Sequence, residues 1–176
     1  LGITYLNEIF RETNILNPSE ILIMLREKVI SGMQQEGKRR EAKDGMVVSL
    51  CIIDKRNGKI QFSGAGSDLL LLQNGNLNEV KGDKQSIAFG SDNAQFVIHE
   101  LDYSENDVIY LYTDGYIDQF NHDGTKKFSR KKLFDLMLKL KDVSLPEQKK
   151  IYKSELQNWK GNFEQIDDIL ICGVKL

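Results

Sequence analysis

Four aspartates stand where apolar, β-forming runs begin or end. Asp44 precedes MVVSLCII, Asp114 follows VIYLYT, and Asp167 and Asp168 precede ILICGV. A carboxylate at the mouth of a buried strand is held by a rigid backbone yet stays in water. If these strand ends converge, the four acids share one rim. Carboxylates so close together raise one another's pKa, and such a rim is stable mainly when a divalent cation offsets the charge. All-oxygen ligands, with no thiol or imidazole beside them, suit Mg2+ or Mn2+ and argue against zinc. Taken singly, each acid also has a plain alternative: Asp114-Gly115 reads as a turn, and Asp167-Asp168 as a solvated strand entrance.

Periodicity shows which elements must position these acids. In LGITYLNEIF, Leu1, Tyr5 and Ile9, with Leu6 and Phe10, follow helical spacing. Asn17-Pro18-Ser19-Glu20 carries a cap, a first-turn proline and an early acid, so a second helix is predicted over about residues 18–36. Ile21, Leu25, Val29 and Met33 form its buried stripe. From Met46 the period shortens: MVVSLCIID, a turn at KRNGK, IQFSGAG, LLLLQ and a turn at NGN predict antiparallel hairpins. QFVIHEL (95–101) alternates, whereas VIYLYT (108–113) is apolar on both faces, as in a strand covered on both sides. A helix is predicted over 129–140, with Leu133, Met137 and Leu140 on one face. Ser144-Leu145-Pro146-Glu147 offers a capping box for a last helix reaching Trp159, and 165–174 (QIDDILICGV) returns to strand. The class is α+β, in a single domain over 1–176.

Composition excludes several functions. The chain has 176 residues, 40% of them hydrophobic, enough for a sizeable core. Its 24 basic and 26 acidic residues give a net charge of −2, without the basic footprint of a nucleic-acid binder. No apolar run approaches the roughly 20 residues that span a bilayer, so no membrane contact by this segment is expected. Cys51 and Cys172 sit in apolar runs, which fits a reducing cytoplasm.

The strings DGMVVSLCIID, GDKQSIAFG, VIYLYTDGYIDQF, GTKKFSRKKL and EQKKIYKSELQNWKGNFEQIDDILICGV, in that order, resemble the SpoIIE-type branch of the PPM (metal-dependent, 2C-like) serine/threonine protein phosphatases. The resemblance covers nearly the whole chain. It implies an α-β-β-α sandwich of two antiparallel sheets flanked by helices, with two Mn2+ or Mg2+ ions at one edge. It also implies that a metal-activated water attacks phosphorus directly, without a phospho-enzyme. Carried over by position, it makes Asp114 a metal ligand and favours Asp167 over Asp168 within the acid pair. Asp44 has three readings: an additional ion, a positioned water, or the shape of the turn before Gly45. Asp118 has no ligand role in the family.

The family's D-x-x-G-H-G segment is expected just upstream of Leu1, so the piece as given is expected to lack a bridging aspartate and to be inactive alone. The resemblance further implies a phosphorylated protein substrate, of the anti-sigma-factor-antagonist kind, and an upstream sensor that could tether the parent to a membrane. Lost strands would expose sheet edges, which makes a homodimer an expectation.

Other features carry less. Ser63-Gly64-Ala65-Gly66 lacks the third glycine of a nucleotide loop and reads as tight sheet packing. Lys38, Arg39, Arg40 and Lys43 read as a solvated loop, and Lys126, Lys127, Arg130, Lys131 and Lys132 as a solvated helix start. His99 and His122 have no partner at zinc spacing. The first helix reads as core, with a regulatory dimer surface as the alternative. Two rival functions remain: a non-catalytic regulatory or interaction module with the same fold, and a phosphoacceptor receiver. The receiver needs a parallel sheet and an acid pair upstream of its acceptor, whereas here the hairpins are antiparallel and the pair comes last.

Overall fold

The computed structural model describes residues 2–14, 17–35, 45–87 and 94–176. The element order is α1 (Gly2–Glu12), α2 (Pro18–Gln35), β1 (Val48–Asp54), β2 (Lys59–Ala65), β3 (Leu69–Gln73), β4 (Asn76–Val80), β5 (His99–Asp102), β6 (Val108–Tyr112), α3 (Asp114–Asp118), α4 (Arg130–Lys139), α5 (Leu145–Lys160) and β7 (Ile171–Lys175). The chain forms two units, Leu1–Leu69 with Val80–Tyr103, and Leu70–Glu79 with Ser104–Leu176. Asp44 and the cations Lys38, Arg39, Arg40 and Lys43 lie outside the described residues.

In the first unit, β1, β2 and β5 form a sheet in that order, both pairings antiparallel. The β1–β2 register runs from Val48 opposite Ala65 to Asp54 opposite Lys59. Its turn is closed by Asp54, whose carboxylate accepts the amides of Arg56 (2.9 Å) and Asn57 (3.2 Å) and the Asn57 side chain (2.7 Å). As predicted, Asn17 caps α2, accepting the amides of Ser19 at 2.9 Å and Glu20 at 3.3 Å. Ile21, Leu22 and Leu25 of α2 are fully buried with Ile9, Ala65, Ile87 and Phe96. Val29 packs at the margin, and the Met33 side chain lies outside the described set. Helix α1 divides its faces: Ile9 is core, but Ile3 and Phe10 are 80% and 50% exposed.

QFVIHEL is not one strand. Only from His99 onward does it pair with β2, with Phe62 opposite His99. The backbone before it is bonded by side chains instead: Ser19 Oγ donates to Phe96 O (2.6 Å), Ser63 Oγ to Val97 O (2.8 Å), and the Val97 amide to Asp83 Oδ2 (2.8 Å). Arg26, 3% exposed inside α2, donates to Ala94 O at 2.6 Å and to Gln85 Oε1 at 3.2 Å, with its guanidinium 4.2 Å from the Phe96 ring centroid. The run Ser63–Gly66 does serve close packing: a Cβ on Gly64 would meet the Gly82 Cα at 3.0 Å, and Asp83 exchanges backbone hydrogen bonds with Gly64 and Gly66 (2.8 Å each).

In the second unit the sheet order is β4-β3-β6-β7. Asn74 and Gly75, at φ 51° and 76°, make the predicted two-residue hairpin between β3 and β4. Strand β6 is buried almost throughout and pairs antiparallel with β7, from Val108 opposite Lys175 to Tyr112 opposite Ile171. Ser129, read from sequence as the first residue of its helix, instead caps α4, and the Ser144 capping box does not form. The Ser144 backbone carbonyl takes the first α5 amides, and Glu147 pairs with Lys150.

The core of this unit contains one polar knot. Gln148, 2% exposed, accepts the hydroxyls of Tyr110 (2.9 Å) and Tyr152 (3.2 Å). Its amide donates to Leu140 O (3.1 Å) and Val143 O (2.9 Å). All four groups are satisfied by one side chain. Gln148→Leu strands them at about 1–3 kcal/mol per buried group. A fall in thermal midpoint of several degrees is expected, at roughly 2–4 °C per kcal/mol for a chain of this size; an unchanged midpoint in calorimetry would contradict the assignment. Burial also pushes the Cys51 thiol up to about 11, whereas Cys172 is exposed. At neutral pH, Ellman's reagent is expected to titrate Cys172 rapidly and Cys51 only after denaturation.

Candidate functional site

Strand β6 reaches the surface at Thr113. The sequence reading takes Asp114-Gly115 as a tight turn, but here Asp114 opens the five-residue helix α3, with Thr113 extended before it (φ −93°, ψ 157°). Gly115 is needed for a different reason: a Cβ there would collide with the carbonyl oxygen of Asp168 and lie 3.2 Å from Ile169 Cγ1. The glycine lets the two backbones touch.

Helix α3 is too short to hold itself and is pinned by the side chains of Tyr116 and Gln119. Tyr116 is buried, meets Phe128 edge-on at 5.0 Å and donates its hydroxyl to Tyr152 O (2.9 Å). Gln119, fully buried, donates to Glu164 O at 2.9 Å, while its own backbone carbonyl accepts Trp159 Nε1 at 3.0 Å and the Phe128 amide at 2.9 Å. Asp118 is occupied by Lys127 at 3.1 Å and so serves the surface of this helix.

The second acidic segment lies alongside. Residues 165–170, read from sequence as the start of the last strand, are not strand; β7 begins at Ile171 because its partner β6 ends at Tyr112. Instead the Thr113 amide donates to Leu170 O at 3.0 Å. The Thr113 hydroxyl donates to Asp168 O and accepts the Leu170 amide, both at 2.8 Å. Asp167 Oδ1 accepts the Asp168 amide at 2.7 Å, and Gln165 Nε2 donates to Asp167 O at 2.8 Å. Asp114 is thus bracketed by two residues, Thr113 and Gly115, that both touch the backbone of Asp168.

Asp114, Asp167 and Asp168 are all exposed. Among the described residues no cation pairs with any of them. Carboxylate and carbonyl oxygens in this mixture fit a hard divalent cation in donor type. Among the described residues, however, no three His, Cys, Asp or Glu side chains gather as a ligand group. The structure therefore brings Asp114 together with the Asp167–Asp168 segment, while Asp44 falls outside what it describes. His99 lies 6.1 Å from the Phe62 ring in the other unit, and His122 is exposed in a loop. Sequence reasoning missed Thr113 and Gln119. A hydroxyl residue between a buried strand and an acid was the available signal for the first, and nothing local marks the second.

The SiaA-PP2C domain of Pseudomonas aeruginosa superposes with a TM-score of 0.87 at 22% identity, over 100% of this chain and 68% of that one. The phosphatase domain of SpoIIE from Bacillus subtilis gives 0.57 at 14% identity, over 99% and 73%. The catalytic domain of the serine/threonine protein phosphatase PstP, solved in complex with 2 manganese ions, gives 0.65 at 10%, over 97% and 76%. No curated protein matches the chain by sequence. At these identities the solved structures establish the fold, that of the PP2C-type phosphatase domains. A family model described as "Stage II sporulation protein E (SpoIIE)" matches residues 3–176, and the chain therefore belongs to the SpoIIE family.

Proposed function

We propose that this chain is part of a protein serine/threonine phosphatase that uses Mn2+ or Mg2+ to hydrolyse phosphoserine or phosphothreonine in a partner signalling protein, of the anti-sigma-factor-antagonist kind. The observation that carries this is the fastening of Asp114 to the Asp167–Asp168 segment, with their carboxylates exposed and unpaired by any cation among the described residues. Asp114 and Asp167 are the residues assigned to hold the ions, with Asp168 and Asp44 as further contributors. When bound, divalent ions lower the pKa of water and offset charge on phosphoryl oxygens. The chain's own part is to hold the acids apart from neutralising side chains, Asp114 just after the buried strand β6 and the acid pair just ahead of β7.

In the intact protein, Mn2+-dependent hydrolysis of a phosphoserine peptide is expected to fall by more than roughly 100-fold in Asp114→Asn and in Asp167→Asn, since even partners one shell out cost about 10–100-fold. Chelation abolishes turnover and added Mn2+ restores it. Equal turnover in both variants would remove the site assignment, and no turnover by a folded, Mn2+-supplied protein would favour the non-catalytic module.

A further inference from the structure

The antiparallel ladder between β6 and β7 runs out one residue before the acids it must position. Its last paired residues are Tyr112 and Ile171, and the Thr113 amide adds one further bond, to Leu170 O. At Asp114 the chain turns into α3, so β6 has no backbone left to offer residues 168–170. The Leu170 amide and the Asp168 carbonyl would face water. A single side chain takes both: the Thr113 hydroxyl accepts one and donates to the other, each at 2.8 Å.

We propose that Thr113 is the positioning residue of the site, setting the distance between Asp114 and the Asp167–Asp168 carboxylates by extending the ladder with its hydroxyl. This role depends on the phosphatase function proposed for the chain. Three features make it specific. The task needs a donor and an acceptor on one atom, which serine and threonine have and valine and alanine lack. Threonine's β-branching suits the extended backbone seen at this position, φ −93° and ψ 157°. Finally, Gly115 on the other side of Asp114 leaves nothing between α3 and the Asp168 carbonyl, so the segment is held there by the Thr113 hydroxyl together with the Thr113 amide. Thr113 acts through the backbone of its neighbours, with its hydroxyl proton on Asp168 O and one lone pair on the Leu170 amide.

The test compares Thr113→Val, Thr113→Ser and Asp114→Asn in the intact protein by calorimetric titration with Mn2+ alone and by amide hydrogen exchange without metal. Thr113→Val is expected to speed exchange at the Leu170 amide and to weaken Mn2+ binding by about 10–100-fold, as for other residues that orient ligands. Thr113→Ser is expected to restore both. Thr113→Ala, which removes the hydroxyl without the added methyl, gives the same reading should the valine variant not fold. Loss of Mn2+ in Asp114→Asn with full binding in Thr113→Val overturns the positioning role alone. Full binding in Asp114→Asn overturns the phosphatase reading beneath it.

Discussion

Two acidic segments distant in sequence stay together only if the backbone between them is tied, and here one threonine does much of the tying. That constraint organises the second unit. Asp114 and the Asp167–Asp168 segment touch through main chain, not through their carboxylates, so the side chains stay in water while their bases are tied. The tie consists of one hydroxyl, one amide and one missing Cβ. Each such hydrogen bond contributes only about 0.5–1.5 kcal/mol, so the tie works because the core behind it is stiff.

The stiffness comes from a core in which polar groups are spent on cross-element bonds. Tyr110 on β6 and Tyr152 on α5 both donate to Gln148, and Tyr116 on α3 donates back to the α5 backbone. Strand, short helix and long helix are therefore joined by hydroxyls inside an apolar cluster, where losing a partner is costly. Gln119 does the same for the segment leading to the acid pair, with its amide on Glu164 O. Helix α5 is thereby bonded to α3 through Tyr116, and through Trp159 and Gln119 to the segment before the acid pair.

Both units hold irregular backbone by side chains where a ladder ends. In the first, Ser19, Arg26, Ser63 and Asp83 bond the stretch ahead of β5. In the second, Thr113, Gln119 and Gln165 bond the stretch ahead of β7. In the second unit the run is left unpaired because β6 has turned into α3; in the first, β2 continues to Ala65 but pairs there with β1 alone. So the first four residues of QFVIHEL and the whole of QIDDIL read as strand in sequence and are not.

Local chemistry alone was enough for much of the chain. Asn17 before Pro18 made a cap, Asn74-Gly75 made a hairpin, and the four-residue spacing of Ile21 and Leu25 made a buried face, because each depends on neighbours within one turn. The acids Asp114, Asp167 and Asp168 were likewise visible at strand ends. Ser144 shows the limit even there, since a capping box legible in four residues yielded to a backbone carbonyl. What the tertiary structure decided was contact between residues far apart in sequence: Thr113 with Asp168 and Leu170, Gly115 with the Asp168 carbonyl, and Gln148 with Tyr110. No periodicity encodes these, because a hydroxyl, a glycine or an amide side chain looks the same in sequence whether it meets water or a distant backbone. The closing of β7 against β6 brings Thr113 and Gly115 their partners, and the packing of α5 on β6 brings Gln148 its own.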